Sequence, residues 1–270
     1  MDVEVFLSGA QVQEEDVRGR TVVVIDVLRA CSTIVTALHH GARAVLPVRD
    51  MAQAGRIASN LDPDVYRLGG ERGGKKIDGY HLGNSPLAYT REVVEGRDVI
   101  LNTTNGTKAL TRSAAAEHLV AGTFLNADRV LDFIANTDLN LTIVCAGWRN
   151  RISLEDTVCA GLLLDRLWQG NRPDTVSDAA HTALTQYQHH RDDVTKMLRH
   201  CNHAQRLVDM GREEDVDYCL QLDVLPGLPY YRDNRLTLYD DDSSSAETLV
   251  KKEPTEKNPT KQDVTSDRRS

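Results

Sequence analysis

The chain has 270 residues, with 32 basic and 40 acidic side chains, a formal net charge of −8 and a sequence pI near 5.6. A chain of this length can build one large domain or two small ones without disulfides or structural metals, and its negative charge argues against a nucleic-acid partner bound through phosphate neutralisation. No run approaches the ~18 apolar residues of a membrane helix, and the chain starts with Asp2 and Glu4 where a signal peptide would be basic, so we expect a cytoplasmic protein with no membrane partner.

Short apolar, β-branched runs alternate with helical patterns over the first 145 residues. Strands that alternate with helices imply crossover connections, and the continuous apolar run at 21–25 is typical of a strand buried on both faces. We therefore predict an α/β protein with three α/β/α layers around a largely parallel or mixed sheet. The predicted strands are 3–7, 21–25, 44–48, 65–68, 98–101, 118–121 and 141–145, and the predicted helices are 33–40, 51–60, 107–116 and 127–136.

The part of the chain after Ser153 has a helical pattern, with predicted helices at 154–168, 178–200, 202–210 and 213–221. From Asp240 to Ser270 aromatic residues are absent and Ser, Thr, Lys, Glu and Pro dominate. Such a segment buries too little apolar surface to offset the entropy of ordering it. We therefore predict one domain over residues 1–239, with room for two sub-domains, and a disordered acidic and polar tail over 240–270.

Ligands of open α/β sheets bind at the carboxyl ends of the strands, and four loops that follow predicted strands are chemically unusual. In the first loop, Asp26 follows the strand at 21–25 and is succeeded by Arg29, Ser32 and Thr33 at a helix start. A carboxylate beside a guanidinium and helix N–H groups could hold a metal and an anion together. The alternative is a local Asp26–Arg29 ion pair with Ser32 capping the helix.

The second loop, residues 69–76, nearly matches a P-loop. Lys76, however, stands where a Ser or Thr should hold Mg²⁺, and Gly79 interrupts any following helix, which excludes a nucleotide P-loop. Its glycines with Arg72 and Lys75 could still form a mobile anion-binding loop, and the alternative is a solvated basic turn.

The third loop, residues 102–107, joins a strand to a helix and offers hydroxyls and backbone N–H groups to an anion, although a simple helix cap explains it equally well. In the fourth loop, Ser153 and Asp156 form a predicted capping box around Glu155. Acids in a first helical turn complement the helix dipole, but two adjacent carboxylates also suit a hard cation such as Mg²⁺.

Other catalytic classes can be tested on the same residues. An aspartate-nucleophile phosphatase of the haloacid dehalogenase type needs a second Asp two residues after the first, and Leu28 stands there after Asp26. Cys145 and Arg151 satisfy the C-x₅-R spacing of cysteine phosphatases. Val144 precedes that Cys where His is usual and Ile152 follows the Arg where Ser or Thr is usual, so this reading stays an alternative.

The remaining Cys and His residues do not predict a metal site. The five cysteines form no C-x-x-C pair, which indicates free thiols in a reducing compartment. The histidines between 189 and 203 have the spacing of no closed zinc site. Periodicity does not decide whether His203 approaches the pocket from the C-terminal helices.

Taken together and in this order, the four loops resemble the 2-phosphosulfolactate phosphatase family, the Mg²⁺-dependent phosphatases of coenzyme M biosynthesis. The resemblance runs from about residue 3 to about residue 231, and His81, Asn102 and Cys31 stand where the family has Asp, Thr and commonly Thr. The residues that carry it are 26–30 with Ser32 and Thr33, 70–72 with Gly79 and 83–86, 103–107, 145–147, and 154–156 with Ala160 and Gly161.

The resemblance implies hydrolysis of (2R)-O-phospho-3-sulfolactate, or a related 2-phospho-carboxylate, to (2R)-3-sulfolactate and phosphate. It implies that Asp26, Glu155 and Asp156 hold Mg²⁺ and are the catalytic residues. The substrate-binding residues it implies are Arg29, Ser32, Glu71, Arg72, Asn84, Ser85, Thr103, Thr104, Asn105, Gly106 and Thr107.

Three questions stay open at this point. The nucleophile can be water or a carboxylate. The main alternative function is a non-catalytic anion-binding protein on the same fold, and the second is the cysteine phosphatase of Cys145 and Arg151. The size of the chain also suits a homo-oligomer, although no residue pattern marks an interface.

Overall fold

The structure is a computed structural model that describes residues 1–173 and 176–240, so the predicted tail from residue 241 onward lies outside the described residues. No helix within these ranges is both long and apolar enough to cross a membrane. Strands and helices alternate along the described chain up to the eighth strand: β1 (Val3–Phe6), β2 (Thr21–Ile25), α1 (Ala30–His39), β3 (Ala44–Pro47), α2 (Met51–Ala58), β4 (Tyr66–Arg72), β5 (Lys75–Lys76), α3 (Arg91–Val94), β6 (Asp98–Asn102), α4 (Gly106–Arg112), β7 (His118–Gly122), α5 (Ala127–Ala135) and β8 (Leu141–Cys145).

The last third of the domain is helical and closes with a hairpin. Its elements are α6 (Leu154–Trp168), α7 (Asp178–His190), α8 (Val194–Leu198), α9 (Asn202–Asp209), α10 (Glu213–Cys219), β9 (Pro229–Arg232) and β10 (Arg235–Leu238). The predicted single helix at 178–200 is therefore wrong in one respect, because a short break around Asp192 separates α7 from α8.

All the strands form one mixed sheet in the order β1-β8-β2-β7-β9-β10-β3-β6-β4-β5. The strands β1, β8, β2 and β7 are parallel to one another, and so are β3, β6 and β4. The hairpin β9–β10 lies between these two groups and pairs antiparallel to each of them. This architecture confirms the predicted α/β class with a mixed sheet.

Helices cover both faces of the sheet because successive side chains of a strand point to opposite sides. From β2, Val23 and Ile25 enter the core that also contains side chains of α5, α6 and α7, such as Leu162. Val22 and Val24 of the same strand enter the opposite core, with side chains of α1 and α4. All five residues of β2 are buried, as its continuous apolar run predicts.

The hairpin was not predicted, although its turn carries a recognisable signal. Asp233 and Asn234 have φ values of +52° and +62°. Two consecutive positive φ angles between paired strands are typical of a type I′ turn, for which Asn and Asp are favoured. The aromatic and apolar residues on each side of the turn then complete a two-stranded ribbon.

The hairpin sets the relative direction of the two parallel groups. Three antiparallel pairings separate β7 from β3, so the two parallel groups run in opposite directions along the sheet. Their carboxyl ends nevertheless meet, because a Cβ added to Gly106, four residues after β6, would lie 2.6 Å from Asp26 Oδ2, just after β2. The strand β9 pairs with β7 at one position, Tyr230 with Val120, and β10 pairs with β3 at one position, Leu236 with Val45.

A buried ion pair fastens the C-terminal helices to this meeting point. Asp215 of α10 is 3% exposed and binds the Arg29 guanidinium, which is 4% exposed. The second oxygen of Asp215 accepts a hydrogen bond from Ser85 Oγ at 2.5 Å. The Arg29 side chain therefore has a structural partner in the core.

We expect Asp215→Ala to lower the free energy of unfolding by about 3–5 kcal/mol, because it leaves the Arg29 guanidinium buried without its counter-ion. Urea unfolding of the purified variant measures this loss. The matched control is Glu214→Ala, which removes an exposed carboxylate from the neighbouring position of α10 and should change stability little. Losses of equal size in the two variants would contradict the structural role of the pair.

Candidate active site

A cavity of about 120 Å³ opens where the carboxyl ends of the two parallel groups meet. All four loops singled out in the sequence contribute to it, and α9 closes its side. The structure places these sequence-predicted residues in its wall: Asp26, Arg29, Glu71, Asn84, Thr103, Thr104 and Asn105.

Asp26 is the carboxylate that presents a free oxygen to the cavity. Its Oδ1 accepts a hydrogen bond from Ala30 N at 3.0 Å, while its Oδ2 accepts none from any described residue. Burial raises the pKa of Asp26 to about 6, and the nearby Glu155 and Glu71 carboxylates contribute to the increase. A carboxylate with these properties is suited to binding a cation or a proton during a reaction.

Glu71 braces the wall of the cavity. Its Oε1 accepts hydrogen bonds from Thr104 N at 2.8 Å and from Thr104 Oγ1 at 2.7 Å. Its Oε2 accepts one from Gly74 N at 2.8 Å. The side chain thus holds the loop after β6 against the turn after β4, and both of its oxygens are already used.

Asn84 brings an unpartnered polar atom to the cavity. The residue is 6% exposed, and its Oδ1 has no hydrogen-bond partner in the described part of the chain. A buried polar atom left without a partner costs about 1–3 kcal/mol. A bound ligand that supplies the missing hydrogen bond would recover this free energy.

The three carboxylates of the predicted magnesium site are not arranged as one shared ligand set in the described residues, and the site itself stays a prediction. Asp156 is 2% exposed, and its two oxygens accept hydrogen bonds from Val27 N at 2.9 Å and Gly147 N at 3.1 Å. Glu155 is likewise 2% exposed, and its Oε1 lies 2.8 Å from His203 Nδ1. Within residues 1–173 and 176–240, no three His, Cys, Asp or Glu side chains converge as a metal-binding set.

Asp26 alone still fits a magnesium ion that a phosphate ester helps to bind. Mg²⁺ commonly takes only one or two protein carboxylates and completes its octahedral shell with water and substrate phosphate oxygens. The free Oδ2 of Asp26 offers one such ligand at the cavity wall. Glu155 and Asp156 lie in the first turn of α6, where Ser153 caps the helix by accepting from Asp156 N. The reciprocal half of the predicted capping box is not formed, because the Asp156 carboxylate binds Val27 N and Gly147 N instead.

Five of the predicted substrate-binding residues do not line the cavity: Ser32, Arg72, Ser85, Gly106 and Thr107. The Ser32 hydroxyl donates to Val27 O at 2.8 Å, and the Ser85 hydroxyl is held by Asp215. Arg72 is exposed, and its guanidinium binds an amide oxygen at the end of β6. Gly106 and Thr107 are buried at the start of α4, where any side chain in place of glycine would collide with Asp26.

Four lining residues with polar or aromatic side chains were not among the predicted site residues: Trp148, Arg149, His203 and Arg206. Of these, only the approach of His203 had been raised as an open question. The Trp148 and His203 rings stack at 5.4 Å with 20° between their planes, and the Arg149 guanidinium lies 4.5 Å from the Trp148 ring centroid. Arg206 donates to Gly73 O at 2.6 Å. Neither arginine pairs with a described carboxylate, so both bring uncompensated positive charge to the cavity.

A signal for these residues was present in the sequence. His203 and Arg206 are three residues apart on α9, a spacing that places them on one face of the helix. Arg149 belongs to the fourth loop, between β8 and α6. What the sequence lacked was any indication that α9 packs against that loop.

The structure opposes the cysteine-phosphatase alternative. The Cys145 side chain is fully buried, and burial raises the pKa of its thiol well above the ordinary value, with a further contribution from the Asp156 carboxylate. A nucleophilic cysteine needs the opposite shift. Arg151, the proposed phosphate ligand, is exposed and does not line the cavity.

Comparison with known proteins points to one family. The sequence profile described as 2-phosphosulpholactate phosphatase matches residues 6–234. A protein of Symbiobacterium thermophilum named probable 2-phosphosulfolactate phosphatase is 38% identical over 224 residues, which is 83% of this chain and 96% of that protein. A protein of Clostridium beijerinckii with the same name is 35% identical over 237 residues, 88% of this chain and 99% of that one.

We expect Asp26→Asn to make the metal-free protein more stable than the wild type at pH 8. The folded-state pKa of Asp26, about 6, is above its ordinary value of 3.8, so the stability that its proton contributes is lost as the pH rises through about 6. The amide does not titrate. In EDTA, the melting temperatures of Asp26→Asn and the wild type should therefore differ at pH 8 and approach each other at pH 5. An equal difference at both pH values would contradict the raised pKa.

Proposed function

The chain belongs to the 2-phosphosulfolactate phosphatase family, and on that basis we propose that it is a phosphoric monoester hydrolase. Its proposed substrate is (2R)-O-phospho-3-sulfolactate, or a related 2-phospho-carboxylate, which it converts to the hydroxy acid and phosphate. The observation that supports this most directly is one cavity lined by Asp26, Arg149 and Arg206. Among the described residues, Asp26 Oδ2 accepts no hydrogen bond and neither arginine pairs with a carboxylate.

The charges of the cavity suit a small substrate with several anionic groups. A 2-phosphosulfolactate carries a phosphate, a carboxylate and a sulfonate on three carbons. The guanidinium groups of Arg149 and Arg206 can each donate paired hydrogen bonds to such oxygens. The Trp148 ring contacts both the His203 ring and the Arg149 guanidinium, which limits the motion of the Arg149 side chain.

The proposal includes Mg²⁺, held by Asp26. When bound, the ion would neutralise negative charge on the phosphoryl oxygens and orient them for attack. The chain fixes the Asp26 side chain for this task through the hydrogen bond from Ala30 N and the close approach of Gly106. Glu71 keeps the surrounding loops together without offering a free oxygen of its own.

We include a cytoplasmic location and a place in coenzyme M biosynthesis in the proposal. The five cysteines are all free and buried, which suits a reducing compartment. The family resemblance of the four loops supports the pathway.

The purified chain should release phosphate from 2-phosphosulfolactate in the presence of Mg²⁺, lose this activity in EDTA and regain it when Mg²⁺ is restored. A phosphate-release assay measures all three states, and 2-phospholactate, which lacks the sulfonate, is the comparison substrate. Phosphate binding without turnover would identify an anion-binding protein. Activity that resists EDTA and disappears on thiol alkylation would identify a cysteine phosphatase.

We expect Arg149→Ala and Arg206→Ala each to raise KM for 2-phosphosulfolactate by about 10- to 100-fold, the effect of losing a hydrogen bond to a charged group. The kcat should change less, since neither residue is proposed to take part in the bond-breaking step. Steady-state kinetics of the two variants measures this. Arg151→Ala is the matched control, because it removes a nearby exposed arginine that does not line the cavity; a similar KM in all three variants would contradict the assignment.

A further inference from the structure

His203 is held at the cavity wall from two sides. Its Nδ1 lies 2.8 Å from Glu155 Oε1, and its ring stacks on the Trp148 indole with 20° between the two planes. The His203 side chain is 15% exposed and that of Glu155 is 2% exposed. The imidazole thus has a fixed orientation, with one edge against a buried carboxylate.

Glu155 determines which of the two His203 ring nitrogens donates a hydrogen bond to it. Burial by itself would raise the pKa of Glu155, but the hydrogen bond and charge of His203 outweigh burial and lower that pKa. An ionised carboxylate can only accept, so His203 Nδ1 is the donor in this pair. His203 Nε2 forms no hydrogen bond with a residue in the described ranges and is left for a ligand.

The second oxygen of Glu155 also has a hydrogen-bond partner within the protein. Cys201 Sγ donates to Glu155 Oε2 at 3.4 Å. With His203 on one oxygen and Cys201 on the other, Glu155 has partners within the protein on both sides. Its arrangement is that of a carboxylate that orients a histidine, a pairing which recurs in unrelated acid–base enzymes.

We propose that His203 is the general acid of the reaction, which protonates the leaving oxygen of the phosphate ester through Nε2, and that Glu155 is its positioning residue. This inference rests on the proposed phosphatase activity. The leaving group of a 2-phospho-carboxylate is an alkoxide, and an alkoxide departs slowly unless its oxygen receives a proton as the bond breaks.

With water as the nucleophile, the proton count closes without a further reactant. The water oxygen forms a bond to phosphorus, the bond from phosphorus to the ester oxygen breaks, and that oxygen takes the Nε2 proton of the imidazolium. The products are the hydroxy acid, neutral His203 and H₂PO₄⁻, which has kept both protons of the water. Transfer of one of these protons to Nε2 restores the imidazolium and leaves HPO₄²⁻.

The decisive experiment varies the leaving group. We expect His203→Gln to lower kcat for 2-phosphosulfolactate by about 10²- to 10⁴-fold, the usual contribution of a general acid. For acetyl phosphate, which loses a stable carboxylate and needs no proton, the same variant should lose less than about tenfold. A residue that only shapes the cavity would lower both rates by a similar factor.

Two further variants test the pair. Glu155→Gln should lower kcat for 2-phosphosulfolactate more than kcat for acetyl phosphate, with little change in KM, because the amide holds the ring but does not stabilise its positive charge. His203→Ala should regain activity on 2-phosphosulfolactate when imidazole is added. The matched control is His200→Gln, which removes an exposed histidine three residues earlier and should keep wild-type rates on both substrates.

The outcomes separate this inference from the function on which it rests. If the wild type releases phosphate and His203→Gln loses kcat equally on the two substrates, the general acid alone is overturned. If His203→Gln does not fold, the same comparison on Glu155→Gln decides, and equal losses there overturn the inference. A wild-type chain that hydrolyses neither substrate overturns the proposed function and this inference with it.

Discussion

The cavity depends on the Asp156 carboxylate, which is buried and binds two backbone N–H groups from different loops. Val27 N belongs to the loop after β2 and Gly147 N to the loop after β8, so one side chain holds two strand ends at a fixed separation. Asp26 immediately precedes Val27, and Glu155 immediately precedes Asp156. The positions of the Asp26 and Glu155 carboxylates therefore depend on how Asp156 is held.

From Glu155 the connection continues to the helical part of the chain. Glu155 holds His203, and one turn later on α9 Arg206 reaches back to Gly73 O in the turn after β4. Glu71 joins that turn to Thr104 after β6. Elements that are far apart in sequence thus enclose the cavity through a short series of polar contacts, in which carboxylates accept mainly from backbone N–H groups.

The concentration of carboxylates at this place is energetically unfavourable by itself. Burial and mutual repulsion raise the pKa of Asp156 well above its ordinary value, with Glu155 and Asp26 contributing. Such arrangements persist where a function needs them and the surrounding structure enforces them. The unpaired charges of Arg149 and Arg206 lie on the same cavity and would be matched by an anionic substrate.

Much of the fold could be predicted from the sequence because its signals are local. The strand β2 was predicted with its correct bounds, since a short run of β-branched residues is typical of a strand buried on both faces. The position of the four loops at strand carboxyl ends was predicted as well, but their convergence was not, because the two parallel groups run in opposite directions. The roles of Glu155 and His203 could not be predicted. Whether Glu155 binds a metal or a histidine depends on which distant helix packs against it, and no local pattern records that. The hairpin β9–β10 was missed because it follows a helical region and pairs with strands made much earlier in the chain.

That late hairpin has a consequence for the order in which the protein can be made. The two parallel groups are complete once residue 145 has been synthesised, yet β7 and β3 meet no strand of the other group directly and are joined only by residues 229–238. Until the ribosome has released those residues, both inner edges present unpaired N–H and C=O groups, the feature by which sheets recruit foreign strands. A nascent or prematurely terminated chain is therefore exposed to aggregation at these two edges, and chaperone protection matters most over the last part of translation.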